Sequence, residues 1–304
     1  MQSGAADEWR KYWFLPLVAG LGYSSSVLHT YGSGPFIEPI QAEFGWSRAS
    51  ISLGLTIVGV VGALFAIPMG MVVDRLGPRR VALIGTILMP VSIGLLGTTT
   101  DSLTHWYLLW CLVAFASLWM QATVWTSALA SRFEKARGMA FAVTFSGASL
   151  TATILPFIAT TLIVSFDWRT AIMLVGAIWT LGVFPLVFLF FRGAQDATAR
   201  GTAVRQPSPA TLPGATVSEA LRSTSFYFLF LAALLFTTTA VGMIVHFVPI
   251  LKDQGATTLG AAGVASLIGV FSIIGRLCTG YLLDRFPPGL VGALSFMLPV
   301  AACL

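Results

Sequence analysis

The sequence predicts an all-α, polytopic membrane protein, on three observations. Only 10% of the 304 residues are charged while 56% are hydrophobic, and mean hydropathy is +0.85. A soluble domain is roughly 25% charged, so this chain has too little polar surface to face water on every side. Apolar runs recur at bilayer-spanning length, and the basic residues between them gather on alternate loops.

Helices of about 17–25 apolar residues cross a hydrocarbon core of ~30 Å. Nine such runs are read at 12–37, 49–73, 81–98, 103–130, 138–165, 168–191, 225–251, 259–283 and 288–304. The first is too long for a cleavable signal peptide, and comparable runs follow at once. Prolines inside the runs (Pro35, Pro68, Pro156, Pro249) are tolerated where neighbouring helices satisfy the freed backbone groups.

Net charge is +5 with a pI near 9.4, yet its distribution argues against a nucleic-acid partner. One set of alternate loops holds Arg10, Lys11, Arg75, Arg79, Arg80, Arg132, Lys135, Arg137, Arg192, Arg200, Arg205, Arg222 and Arg285; the other holds Arg48, Arg169 and Lys252. Thirteen against three is a positive-inside bias, and it predicts a cytoplasmic N-terminus in a bacterial-type inner membrane. Cys111, Cys278 and Cys303 fall within runs and lack metal-ligand or CxxC spacing, so neither a disulfide framework nor a metal site is expected.

After six runs, residues 192–224 are rich in Ala, Thr, Pro, Gly and Arg without apolar periodicity, the composition of a linker. The expected organisation is a six-helix bundle over 1–191, a cytoplasmic linker over 192–224 and a three-helix partial bundle over 225–304. The halves are related. A shift of 210 residues lays Gly32 on Gly242, Pro39-Ile40 on Pro249-Ile250, and Gly70-x-x-x-Asp74-Arg75 on Gly280-x-x-x-Asp284-Arg285. Parallel repeats of this kind build secondary transporters whose substrate site lies between the bundles at mid-membrane.

The stretch GMVVDRLGPRRV, residues 70–81, resembles the loop between the second and third spans of the major facilitator superfamily. The resemblance implies twelve spans, so nine would be an incomplete second bundle that transports nothing alone. It also implies gating roles for Gly70, Asp74, Arg75, Gly77, Arg79 and Arg80, and for the repeat copy Gly280, Asp284 and Arg285. In that family the aspartate of the loop contacts a late helix of the opposite bundle. EFGWSRASISLGLTIVGVVGALFAIPMG (43–70), SRFEKARGMAFAV (131–143), FDWRTAIMLVGA (166–177) and GRLCTGYLLDRF (275–286) are similar to the monocarboxylate-porter and oxalate:formate-antiporter branch. That branch carries a carboxylate-binding arginine in its eighth span, and Arg276 matches it. The arginine of the fourth span and the GPxxGG-like run of the fifth, usual in drug:proton antiporters, do not occur here.

Arg276 also stands out on physical grounds. Asp284, the nearest flanking charge, is eight residues away, roughly 12 Å along a helix, beyond the few ångström that snorkelling gains. Intramembrane arginines are costly and usually mark a pathway. Gly269, Ser272, Arg276 and Gly280 share one face, and small residues leave room for helix approach or a cavity. A guanidinium offers a planar fork to a carboxylate; a structural ion pair is the alternative. Further candidate substrate contacts are His29 and its repeat mate Thr239, His246 on the same face as Thr239, and the mid-span Trp119, Gln121 and Trp125. A histidine there could serve proton coupling or merely bond across helices.

No phosphate loop, HExxH or paired-carboxylate pattern occurs, so neither an enzyme nor a cofactor is expected. The expected partners are a small organic anion, a proton or counter-anion, and the lipid bilayer, with a monomeric full-length protein. Export of a drug-like solute and a non-transporting truncated protein are the alternatives.

Overall fold

The computed structural model describes residues 4–193, 217–255 and 258–303, and their side chains apart from 217, 240–253, 258–266 and 299–303. In chain order α1 is Ala5–Tyr12, α2 Phe14–Ser24, α3 Leu28–Phe44, α4 Arg48–Leu76, α5 Pro78–Leu95, α6 Leu103–Leu118, α7 Ala122–Ala130, α8 Arg137–Ser165 and α9 Trp168–Phe190. They are followed by α10 Val217–Arg222, α11 Thr224–Asp253, α12 Thr258–Leu283 and α13 Pro288–Cys303. The fold is all-α, with no strand among the described residues.

Among the described residues, five segments are long and apolar enough to cross a membrane: Arg48–Leu76, Pro78–Thr98, Leu103–Ala130, Arg137–Ser165 and Trp168–Phe190. Their outward faces are apolar, and the interior is apolar too apart from a few hydroxyls. Ile67, Phe157 and Leu181 are at least 75% exposed, while Thr86, Thr144, Ser149 and Thr151 are buried. Apolar surface turned outward has lipid as its natural solvent, and the hydroxyls of Thr86, Thr144 and Thr151 donate to backbone carbonyls one turn earlier.

The helix ends follow local chemistry. α3 stops at Gly45, whose φ of 67° terminates the ladder, and the Ser47 side chain then accepts the Ser50 N–H at 3.0 Å to open α4. α4 stops at Gly77, φ 80°, and Pro78 starts α5 at a position where its missing N–H costs nothing. Asp167 caps α9 by accepting the N–H groups of Arg169 and Thr170 at 2.8 and 2.9 Å.

Two expectations need correction. The first run is not one helix: Ser25–Val27 is a 3₁₀ turn between α2 and α3. In the triple serine that precedes it, Ser24 Oγ donates to the Leu21 carbonyl and Ser26 Oγ to the Tyr23 carbonyl, each at 2.6 Å, and such back-bonding competes with the helical ladder. The fourth run also breaks, because Gln121 is extended (ψ 151°) between α6 and α7. Within the expected linker, α10 occupies 217–222; residues 194–216 lie outside the described residues.

The first six spans pack on one another, α2 on α8 and α9, α4 on α6, and α5 on α6 and α9. Lipid supplies no hydrophobic drive between helices, so close packing holds such bundles. Trp125 is fully buried against Gly22, with its ring centroid 4.9 Å from that of Phe191. α12 packs against α8 along much of its length and also against α11 and α13.

Candidate functional site

α12 and α8 meet along the small-residue face that the sequence marks. At the end bearing the 74–80 loop, a Cβ on Gly280 would lie 2.5 Å from Ala142 Cβ and 2.8 Å from the Gly138 carbonyl oxygen. Only glycine permits that approach. Ser272 Oγ lies 2.9 Å from Ser149 Oγ, and Gly269 abuts Thr153. The two helices therefore run antiparallel, with 280 beside 138, 272 beside 149 and 269 beside 153.

Arg276 sits on this seam. Its Nε donates to Ser272 Oγ at 3.3 Å, and Ser272 is tied in turn to the buried Ser149 of the facing helix. The Nη1 and Nη2 atoms make no hydrogen bond or ion pair among the described residues. That leaves the outer edge of the guanidinium, the edge that matches a carboxylate, available. The alternative, an ion pair with Asp284, does not form, since that carboxylate is taken up by the N–H groups of Gly138 and Met139. Arg276, itself exposed, lines an open groove of about 470 Å³ between α8 and α12, with Phe141, Phe145, Ser272 and Thr279 on its walls. Tyr23 of α2 borders this region, its ring 5.1 Å edge-on from Phe145 and within electrostatic reach of Arg276.

His29 is elsewhere. It lines a narrow apolar cavity of about 30 Å³ within the first six spans, together with Ser33, Ser52 and Trp110. Its Nδ1 is buried without a partner, and Ser33 Oγ donates to its carbonyl. Trp125 belongs to the packing core and does not reach the Arg276 cavity. Trp119 and Gln121 flank the α6–α7 break, half-buried, with Trp119 edge-on to Phe115 at 6.2 Å. Neither lines the cavity of Arg276 or that of His29. Thr239 is exposed on α11, and the His246 side chain lies outside the described residues.

The two copies of the repeated GxxxDR behave differently. Asp284 accepts the backbone N–H groups of Gly138 and Met139 at 2.6 and 2.8 Å, the unpaired donors at the start of α8. Asp74 is exposed and makes no hydrogen bond or ion pair among the described residues, and space is open around Gly70. Arg79 Nη2 donates to the Phe188 carbonyl at 2.8 Å, pinning the start of α5 to the end of α9. Arg75 and Arg80 are exposed; Arg285 stacks over Tyr281 at 4.3 Å.

Two carboxylate sites carried no sequence signal. Glu8 of α1, 6% exposed, accepts the N–H groups of Glu134, Lys135 and Ala136 at 3.1–3.2 Å. At the opposite end of the spans, Glu43 pairs with Arg169 at 2.7 Å and accepts the Trp168 indole N–H at 2.5 Å. Arg169 also donates to the Gly97 and Thr99 carbonyls. The hydrogen bond from Arg169, then that from Trp168, holds the Glu43 carboxyl below its ordinary range. Asp167 is likewise lowered, chiefly by the Thr170 hydroxyl. Tyr23, Phe145 and Glu8 could have been suspected only from their partners, which lie more than a hundred residues away.

A family model for the Major Facilitator Superfamily matches residues 19–304. The chain belongs to the Major Facilitator Superfamily. Within the superfamily it is 27% identical to monocarboxylate transporter 13 of Bos taurus over 262 residues, which cover 86% of this chain and 58% of that protein. It is 28% identical to riboflavin transporter RibJ of Trypanosoma cruzi over 137 residues, covering 45% and 29%. An MFS-type transporter of Gibberella moniliformis is 26% identical over 296 residues, covering 96% and 64%. The chain thus spans just over half the length of the monocarboxylate transporters it matches. It is an integral, multi-pass membrane protein of that superfamily, and the relatives it resembles carry the names of transporters.

Proposed function

We propose that this protein is a secondary active transporter of small organic carboxylates, with Arg276 as the residue that holds the carboxylate. The observation that carries the reading is the guanidinium itself: one edge is fixed through Ser272 to Ser149, and the other is turned to no partner among the described residues. A charge kept in that state within a membrane span is expensive, and a substrate anion would offset the cost with a charge-assisted pair. Similarity to monocarboxylate transporter 13 supports the same substrate class.

Alternating access would rock the bundle of 1–191 against that of 225–304, with 192–224 as the linker between them. The closed α8–α12 seam would seal the end carrying the basic loops, which the positive-inside bias assigns to the cytoplasm of a bacterial-type inner membrane. Asp74, Arg75, Gly77, Arg79 and Arg80 would form the second latch on that side. The substrate travels with a proton or against a counter-anion, in a monomeric full-length protein. A second reading, export of a drug-like solute, draws on the aromatic cavity wall and the partial similarity to RibJ.

Thermal stabilisation of the purified protein by carboxylates tests the reading, since a ligand that binds only the folded state raises its stability. Carboxylates should stabilise the native chain, Arg276→Lys should keep part of the effect, and Arg276→Ala should lose it. Equal stabilisation of Arg276→Ala would remove Arg276 from the site, and stabilisation by uncharged solutes alone would favour the exporter.

A further inference from the structure

We infer that the preferred substrate is an aryl carboxylate, with the aromatic ring seated against Phe141 and Phe145 while Arg276 takes the carboxylate. This rests on the carboxylate reading above and adds the nature of the substrate's body.

The register of the seam brings cation and rings together. With 280 beside 138, 272 beside 149 and 269 beside 153, residue 276 comes level with Phe145 on the facing helix. Phe141 stands one turn away, its ring centroid 6.4 Å from that of Phe145 and tilted by 55°. Tyr23 buttresses Phe145 from behind, edge-on at 5.1 Å. Phe141, Phe145 and Arg276 border one open groove of about 470 Å³, a volume within the range that ligand pockets occupy and far more than a two- or three-carbon acid fills.

The wall chemistry is selective. Besides Arg276, the polar side chains lining the groove among the described residues are Ser272 and Thr279, and Ser272 is engaged with both Arg276 and Ser149. A substrate rich in hydroxyls would find few partners and would lose its hydration uncompensated. Two tilted rings present both faces and edges, the arrangement that attracts a third ring in edge-to-face or offset contact. A ligand with one carboxylate and one arene satisfies the cation and the wall together.

The test is a binding series on the full chain in detergent: phenylacetate, cyclohexylacetate, acetate and the neutral isostere phenylacetamide. Phenylacetate should bind at least roughly tenfold more tightly than acetate, because apolar contacts of even one methylene are worth about 10–200-fold. It should also bind a few-fold more tightly than cyclohexylacetate. Phe145→Leu should remove the preference for phenyl over cyclohexyl, and Phe141→Leu gives the same readout should Phe145→Leu fold poorly. Acetate or cyclohexylacetate binding as tightly as phenylacetate would overturn the aryl assignment while leaving the carboxylate reading intact. Phenylacetamide binding as tightly as phenylacetate, or no carboxylate binding at all, would overturn the role of Arg276 instead.

Discussion

The Asp284 carboxylate accepts the backbone N–H of Gly138 at 2.6 Å, joining the end of the eighth span to the start of the fifth. Its second oxygen takes the next N–H, that of Met139. Glu8 meanwhile holds the three N–H groups of 134–136 from the other side. The start of α8 is thus gripped by two carboxylates, one from each half of the chain.

Asp284→Asn should open this seam. It keeps one acceptor oxygen but loses the charge, and hydrogen bonds to charged groups are worth about 1.5–3 kcal/mol, enough to move a closed-to-open ratio roughly tenfold. A disulfide between Ser149→Cys and Ser272→Cys, in a background without the native cysteines, reports closure, since the parent hydroxyls lie 2.9 Å apart. Cross-linking should be rapid in the parent and slow in Asp284→Asn; equal rates would mean the carboxylate does not hold the seam.

Asp74→Asn should reduce transport turnover by at least about tenfold while leaving substrate affinity nearly unchanged, the pattern of a residue that governs a conformational step. Asp74 is remote from the Arg276 cavity and exposed. Measuring both quantities in a reconstituted full-length version decides it; a large affinity loss with normal turnover would refute the latch.

Trp125→Ala should cost about 3–5 kcal/mol of stability, the usual price of emptying a large aromatic site, and leave ligand affinity intact. Gly22→Ala should also destabilise, because an added Cβ collides with the Trp125 ring. Thermal unfolding and ligand titration of the same preparations separate the two effects. Weaker substrate binding by a stable Trp125→Ala would return this residue to the substrate site.

Acid should loosen the far end of the spans. The folded-state pKa of Glu43 lies below its ordinary 4.5 because Arg169 and Trp168 donate to the carboxylate. A depressed carboxyl contributes stability that is complete above the unfolded value and is lost as pH falls through the folded one. The thermal midpoint should therefore drop below about pH 4.5, with a smaller drop in Glu43→Gln, and part of the loss should persist there through Asp167, which is lowered in the same sense. Identical acid profiles for the two proteins would show that the pair contributes nothing. Both partners are partly exposed, so the effect should be modest and screened by salt.

Much of this architecture can be read from one dimension, and the reason is physical. Span length is set by the bilayer, so α4, α8 and α9 announce themselves by composition. The α12 stripe Gly269, Ser272, Arg276 and Gly280 is periodic, and the repeat exposes Asp284. What stayed hidden depends on partners remote in sequence. Trp125 reads like a cavity wall until Gly22 and Phe191 close around it. Phe145 is one of 22 phenylalanines until the seam brings Arg276 level with it. The breaks in the first and fourth runs are local, yet apolar composition does not report them, since a 3₁₀ turn of serines and one extended glutamine leave hydropathy almost untouched.

Apart from Arg276 and Leu283, the closest contacts between α8 and α12 are made by glycine, alanine, serine and threonine, backbone amides and one short carboxylate. Long flexible side chains forfeit up to about 2 kcal/mol of rotamer freedom each when immobilised, whereas glycine and alanine forfeit none. Each closure of this surface therefore orders almost nothing that was free before. Such an interface can part and rejoin many times with little entropic toll, so the pace of cycling would fall to hydration and to the rigid movement of whole helices.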